Sequence, residues 1–319
     1  MLNRRILRIK AFKVLYSYAE NPSMSLKEAE SQLEISCKAT RDLYLFMLAI
    51  ISPLTAEAAE RIKIAREKFN PTEEEKNPNT KFADNALAKY FDNDPDFQKI
   101  ITRQKLFWDQ YDVLIRKTYD SIRTKEWFSR YMASPERSLK EDCKLFEHIF
   151  EEEFVDSPEL EEILEDLSLY WTDDLAYALS YCCSTLEDLA KGKNWSLIPL
   201  YKSEMSDKPG IDSDKAFVTK LLRAAFAGFS RYSAMVAGAV PKWDKDRLFT
   251  TDMVLIICGL AEAQAFPEIP VKVTINEYVE ITKYYSTPKS RSFVNGLLDK
   301  LIQEMVESGD IVKTGRGLN

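Results

Sequence analysis

Glycine occupies 9 of the 319 positions, less than half its usual share of about 7%, and the 13 prolines fall mainly between long stretches free of both residues. A chain so poor in both is built from helices, whose interiors exclude them. Apolar residues at 45% and charged residues at 30% allow a core of ordinary size, and the length predicts two domains or one domain carrying a large insertion. No run of about 18 consecutive apolar residues is present, so the sequence reads as soluble, with no membrane span. The first residues are basic, but Arg8, Lys10 and Lys13 interrupt any apolar core of the kind a secretory signal needs, which places the protein in the cytoplasm.

Five cysteines, Cys37, Cys143, Cys182, Cys183 and Cys258, show no CxxC spacing and suggest neither a disulfide framework nor a zinc site. They are expected to be reduced and buried. His148 is the single histidine, set in the amphipathic segment Phe146-Glu147-His148-Ile149-Phe150, so a metal-binding His pair is excluded and any nucleophilic triad would have to run through this one residue. No Gly-rich strand-turn-helix motif for a cofactor occurs. The expectation is a protein without catalysis, cofactor or metal.

Helix starts are legible from their caps. Ser25 with Glu28, Ser138 with Glu141 and Thr274 with Glu277 fit the capping box, while Asp94-Pro95, Ser157-Pro158 and Thr287-Pro288 place proline at a first helical position. The last helix is expected to stop at Gly309, after the apolar face Phe293, Leu297, Leu298, Leu301, Ile302 and Met305. About ten helices and no strand are predicted in this way. Residues 70–80 and 203–214 break the pattern and read as loops or linkers. The net charge of −7 is uneven: residues 136–190 hold 17 acids against 3 bases, leaving the rest of the chain positive. Runs such as Glu151-Glu152-Glu153 read first as solvated helix faces. Residues 145–190, with Tyr170-Trp171-Thr172-Asp173-Asp174 in the middle, weakly echo residues 217–262, with Lys242-Trp243-Asp244-Lys245-Asp246 in the middle.

Residues 3–20 carry five cations and one acid. Arg4, Arg5 and Arg8, three and four residues apart, share one face of a helix and sit in its first turns, where the helix dipole favours anions. Helix stability alone would not put them there. An external polyanion is one motive, since arginine matches phosphate geometry and each neutralised phosphate releases counterions. A merely solubilising basic end, or one paired with the acidic stretch, is the other.

Near the other end stand Ile269-Pro270-Val271-Lys272-Val273-Thr274-Ile275-Asn276-Glu277-Tyr278-Val279-Glu280-Ile281 and then Phe293-Val294-Asn295-Gly296-Leu297-Leu298-Asp299-Lys300. In order and spacing these resemble the signature of the NusB family of transcription antitermination factors. Phe217 to Trp243 resembles the family's preceding long helix, and Arg4-Arg5-Ile6-Leu7-Arg8 leading into Val14-Leu15-Tyr16-Ser17-Tyr18 resembles its arginine-rich first helix. Asn295-Gly296, odd inside a helix, matches the family's last helix, where a small residue would let another helix approach closely.

The resemblance implies an all-α fold of two small helical bundles, here enlarged by an inserted acidic, aromatic-rich helical region. The corresponding division is residues 1–69, an insertion over 70–212, a C-terminal bundle over 213–308 and a tail over 309–319. It implies a regulator of ribosomal RNA operon transcription that binds boxA-like single-stranded RNA with the small-subunit ribosomal protein acting as NusE, within the transcription elongation complex. Carried over by position, Arg4, Arg5, Arg8, Lys289, Arg291, Ser292, Phe293 and Asn295 are the RNA-facing residues, and Glu262 is the partner-facing one. Two departures are visible: Ile6 replaces a usual cation and Lys289 stands where an acid is common. For Phe293, core packing is an equal alternative.

The insertion has aromatics from Phe91 to Tyr131 interleaved with cations such as Arg103, Arg116 and Arg123. At helical spacing these read as core before they read as a base-stacking surface. Two other functions stay open: a protein-interaction module that kept the scaffold without RNA specificity, and an accessory RNA-binding subunit of an RNA-modifying enzyme.

Overall fold

The structure, a computed structural model, describes residues 1–201, 213–240 and 249–318. The chain divides into two compact units, Met1–Cys37 with Pro199–Asn319, and Lys38–Ile198. Helix α1 (Arg4–Glu20) and the start of α2 (Leu26–Ala49) belong to the first unit. The second holds α3 (Ile51–Arg66), α4 (Glu73–Lys76), α5 (Ala86–Asn93), α6 (Pro95–Gln104), α7 (Asp112–Ile122), α8 (Glu126–Ala133), α9 (Leu139–Ile149), a π-helical turn over Phe150–Phe154, α10 (Pro158–Leu167) and α11 (Leu175–Ala190). The first unit resumes with α12 (Asp214–Ala239), α13 (Thr250–Ala265), α14 (Val271–Tyr285) and α15 (Ser290–Glu307). The fold is all-α. Among the described residues no strand forms, and the one β-type pairing is an isolated bridge between Leu2 and Tyr201. The unit boundaries fall at residues 37 and 198, where the sequence suggests divisions at 69 and 212. The reason is packing: α3 lies against α5 and α7, so residues 38–69 share a core with the helices that follow them. The linker expected over 203–214 lies almost wholly outside the described residues, as does the Lys242–Asp246 half of the internal echo. The other expected break, 70–80, contains the single-turn helix α4.

Local chemistry explains most helix starts. Ser25 and Glu28 exchange bonds, Glu28 N–H donating to Ser25 Oγ at 3.3 Å and Ser25 N–H to Glu28 Oε2 at 2.7 Å. Asp94 and Ser157 each accept from the third residue on, with Pro95 and Pro158 in the first turn. Two expectations are corrected. Thr274 caps nothing: α14 already begins at Val271 after Pro270, and Thr274 is fully buried four residues inside. Pro288 lies in the turn before α15, and it is Thr287 Oγ1 that accepts the Ser290 N–H, at 3.3 Å. At the far end α15 stops at Glu307, and Gly309 takes the left-handed conformation that ends it, with φ +81°.

In the second unit most of the interleaved aromatics are core. Phe82, Tyr119, Phe128 and Phe146 form one cluster, Phe46, Trp108 and Trp171 another, and Phe91, Phe97 and Trp195 a third, all buried. A base-stacking surface on them is therefore excluded, although Phe107 stays 45% exposed. Four of the five cysteines are buried, Cys183 is partly so, and none is disulfide-bonded. The stretch from α2 through α3 is long and apolar enough to cross a membrane by length and composition, and 61% of its most apolar window is buried, as for the core helix of a folded domain.

In the first unit α13 is the axle. Its run Val254–Ala263 is buried on every side, and α1, α12, α14 and α15 all pack against it. Gly259 makes the closest of these approaches possible. A Cβ there would lie 2.8 Å from Leu298 Cδ1 on α15 and 3.4 Å from Tyr278 Cδ2 on α14. Gly296, which the sequence suggests for such a contact, has no atom within 4 Å of a Cβ and faces outward. The small residue that admits a neighbour is on the central helix, not the last one. Gly259→Ala should then lower stability by about 1–3 kcal/mol, while Gly296→Ala, gaining only helix propensity, should raise it by about 0.5–1 kcal/mol. Urea unfolding of the two variants beside the parent measures both, and effects of the same sign would contradict this assignment.

Candidate nucleic-acid interface

The first helix begins at an Asn3 cap, whose side chain accepts the Ile6 N–H at 3.0 Å, and has no acid in its first turn. Its three arginines diverge. Arg8 turns inward: Nε and Nη2 reach the two oxygens of Glu262 at 2.7 and 2.8 Å in a parallel, two-pronged pair. Both residues are buried, Arg8 at 4% exposure and Glu262 at 0%. Thr274 and Tyr278 of α14 complete the carboxylate's shell, donating from their hydroxyls at 2.9 and 3.2 Å. Burial works against the Arg8 charge, but the Glu262 carboxylate outweighs it and holds the guanidinium above its ordinary pKa. Burial beside that same carboxylate pushes the Tyr278 phenol well up.

These contacts correct two expectations. Glu262 does not face a protein partner, because it has no exposed surface, and Arg8 does not face phosphate, because it is buried with Nε and Nη2 held by Glu262 and Nη1 3.6 Å from Glu277. Arg5 points outward instead, 49% exposed, and pairs with Glu277 through Nε and Nη2 at 3.0 and 2.8 Å. That hydrogen bond, with help from nearby Arg8, holds the Glu277 carboxyl below its usual range against the opposing effect of partial burial. Arg4 lies 3.4 Å from Asp214 and stacks over the Phe217 ring, its guanidinium carbon 4.6 Å from the centroid. Arg8 shares that ring at 5.2 Å.

The remaining candidates cluster at the junction of α14 and α15. Asp252, buried in the first turn of α13, accepts from Ser286 Oγ at 2.5 Å and so ties the connecting turn to the central helix. The turn leads into α15, whose first turn carries no acid and is bordered by exposed Lys289, Arg291 and Ser292. Lys289 has no ion-pair partner among the described residues. Arg291 stands 3.8 Å from Glu280, which also holds Lys283 at 2.7 Å. Asn295 is exposed, whereas Phe293 is half-buried against the core, with part of its ring left outside. Helix α1 reaches the same junction: Phe12 packs on Tyr285 at 5.4 Å, and the Lys13 ammonium sits 5.6 Å from that ring.

The structure therefore brings Arg5, Lys283, Lys289, Arg291, Phe293 and Asn295 onto neighbouring exposed surface of α1, α14 and α15, and withdraws Arg8 and Glu262. Sequence reasoning missed Glu277 and Asp214, the acids that hold Arg5 and Arg4, and Phe217 beneath two guanidinium groups. A usable signal was present, since three stacked arginines on one helix need acids from elsewhere to lie close together.

The NusB family model matches residues 184–303. Over this region the chain is similar to the NusB family. The match takes in the end of α11, all of α12, α13 and α14, and most of α15, so the whole α14–α15 junction lies within the NusB region and α1 lies outside it. Three relatives are each named transcription antitermination protein NusB. That of Chloroherpeton thalassium is 36% identical over 104 residues, 33% of this chain and 49% of its own length. That of Salinibacter ruber is 33% identical over 106 residues, 33% of this chain and 66% of its own. That of Geobacter sulfurreducens is 28% identical over 122 residues, 38% of this chain and 87% of its own. The chain thus spans about half of the first relative and about two thirds of the second. No solved structure gives a significant match.

Two outcomes follow from this geometry. Arg8→Met should cost about 3–5 kcal/mol by stranding Glu262, and adding Glu262→Leu should restore part of it, as replacement of both buried charges leaves only the neutral hydroxyls of Thr274 and Tyr278 without their acceptor. Equilibrium unfolding of the single and double variants decides this, with an additive loss as the contrary result. For Glu277, the depressed folded-state pKa means that its contribution is present above the ordinary carboxylate range and lost as pH falls through the folded value. Glu277→Gln should therefore narrow the stability difference from the parent on acidification, measured as the unfolding midpoint from neutral pH down to about pH 3.

Proposed function

We propose that the chain is a transcription antitermination factor that binds single-stranded, boxA-like RNA through the exposed ends of α14 and α15 and the outer edge of α1. Its partners in this reading are a small-subunit ribosomal protein acting as NusE and the transcription elongation complex, in the cytoplasm. It carries out no catalysis; its work is to hold RNA and protein together.

One observation carries the reading. Helix α15 starts with Lys289 and Arg291 on either side of Ser290, whose N–H Thr287 holds, and with no acid in its first turn. Positive charge at a helix N-terminus opposes the helix dipole and is stabilised when an external anion sits there. The phosphates of a single strand supply such an anion, and Phe293 and Asn295, three and five residues into the helix, offer a partly exposed ring and an amide for the bases. The family match covers these residues, and its relatives are named for antitermination. Arg5 adds a cation at the edge, whereas Arg8 acts from inside by fixing where α1 lies.

A titration of the whole chain with a boxA-like RNA and a scrambled control tests this, with and without the ribosomal-protein partner and at several salt concentrations. Binding should favour the boxA-like strand and tighten with the partner. The log–log salt slope should be about −0.7 per neutralised phosphate, and Lys289→Ala with Arg291→Ala should make it shallower by about that amount for each phosphate that is no longer neutralised. Equal binding to both strands, with the partner bound all the same, would leave a protein-interaction module in place of an RNA-binding factor.

A further inference from the structure

We propose that Tyr284 is a stacking platform for one RNA base, placed between cations that hold the phosphates on either side of it. This rests on the RNA reading above and adds to it a residue that neither the motif pattern nor the family resemblance singles out.

Tyr284 lies in the last turn of α14, where its neighbours have all found partners. Tyr278 and Ile281 are buried in the core, and Tyr285 packs on Phe12. Tyr284 remains 77% exposed, and among the described residues its ring meets no other ring and its hydroxyl makes no hydrogen bond. A tyrosine carries 150–250 Å² of surface suited to burial, and leaving it bare in a helix forgoes that gain. What surrounds it is specific. Along the same stripe of α14, at spacings of three and four, stand Glu280 and Glu277. Those two acids hold Arg5, Lys283 and Arg291 through ion pairs. Arg5 is within electrostatic reach of both Glu280 and Tyr284. Three cations are thus fixed by two acids that share the stripe of α14 on which Tyr284 stands. Lys289 stands beyond them in the turn that leads to α15.

A flat, uncovered π-face on a helix stripe that also holds guanidinium and ammonium groups fits a single-stranded nucleic acid, which alternates stackable bases with phosphates. An acidic peptide would use the cations and leave the ring idle. A duplex keeps its bases stacked inside and would also leave it idle. The ring offers its face to any base, so Tyr284 contributes affinity for single strands, and sequence preference comes from the polar groups of α15.

The experiment compares the parent with Tyr284→Ala, Tyr284→Phe and Tyr284→Trp, using a boxA-like single-stranded RNA and the same RNA annealed to its complement. Tyr284→Ala should weaken single-strand binding about 5- to 150-fold with no change in the salt slope, because every phosphate stays neutralised as before. Phe and Trp should retain binding, and none of the three should shift the unfolding midpoint by more than a small amount, since the side chain is outside the core. Duplex binding should be the same in all four. Parent-like binding by Tyr284→Ala, or a loss in Tyr284→Phe as large as in Tyr284→Ala, would overturn the stacking role while leaving the RNA reading in place. A parent chain that binds no RNA would overturn both, and a Tyr284→Ala defect confined to the ribosomal-protein partner would assign the ring to a protein interface instead.

Discussion

The paired charges of Arg8 and Glu262 are the constraint on which the first unit depends. Both are buried, and each is tolerable only because the other is there with two parallel hydrogen bonds. The pair joins α1 to the central helix, and the hydroxyls of Thr274 and Tyr278 extend the link to α14. Three helices are thereby set in one register by groups that accept no substitute geometry. Apolar packing alone permits small slides of one helix along another, whereas a fully enclosed carboxylate with four donors does not. Removal of either charge strands the other in a medium that cannot solvate it, so the link is also the place where this unit is most easily broken.

From that fixed register the outer surface follows. With Arg8 held inside, Arg5 emerges one turn earlier at the edge of α14 and meets Glu277, and Arg4 comes down on Asp214 and Phe217. The α14–α15 turn is located independently, by Asp252 accepting from Ser286 and by the close approach that Gly259 grants to Leu298. Both anchors reach the central helix, one near each of two helical neighbours. The exposed cations therefore sit on a rigid frame, and their spacing is a property of the core and not of flexible side chains alone.

Much of this was legible from residue types, and the misses have a common cause. Ser25, Asp94 and Ser157 cap helices because their partners are three residues away and nothing distant competes for them. Thr274 and Glu277 have the same spacing and fail as a cap, because each is claimed by a tertiary partner: Thr274 by Glu262, Glu277 by Arg5. Asn295-Gly296 reads in sequence as the site of close helix contact, yet only the packed structure distinguishes an inward glycine from an outward one, and Gly259 is the inward one. The stripe of Arg4, Arg5 and Arg8 does share a helix face. What a stripe cannot disclose is depth, and a turn of helix separates an exposed guanidinium from a buried one. In the other unit the interleaved aromatics and cations resolve the same way, the rings going inward as core and cations such as Lys117 outward to carboxylates such as Glu159.

The two helices that begin with cations consequently play different parts. At α1 each arginine has an acid within the unit, so the charge that the sequence concentrates there is largely returned to the fold. At α15 Lys289 has no acid among the described residues, and Arg291 shares Glu280 with Lys283 at a longer distance than the lysine. An approaching anion competes with internal carboxylates at α1 and meets little competition at α15. Because an exposed ion pair contributes at most about 1 kcal/mol, Arg5 can still be drawn from Glu277 toward a phosphate, whereas Arg8 cannot leave Glu262 without exposing the core. Counting arginines overstates the charge that the first helix leaves open to an external anion. The electrostatic weight of the surface rests at the start of the last one, inside the stretch shared with the NusB family.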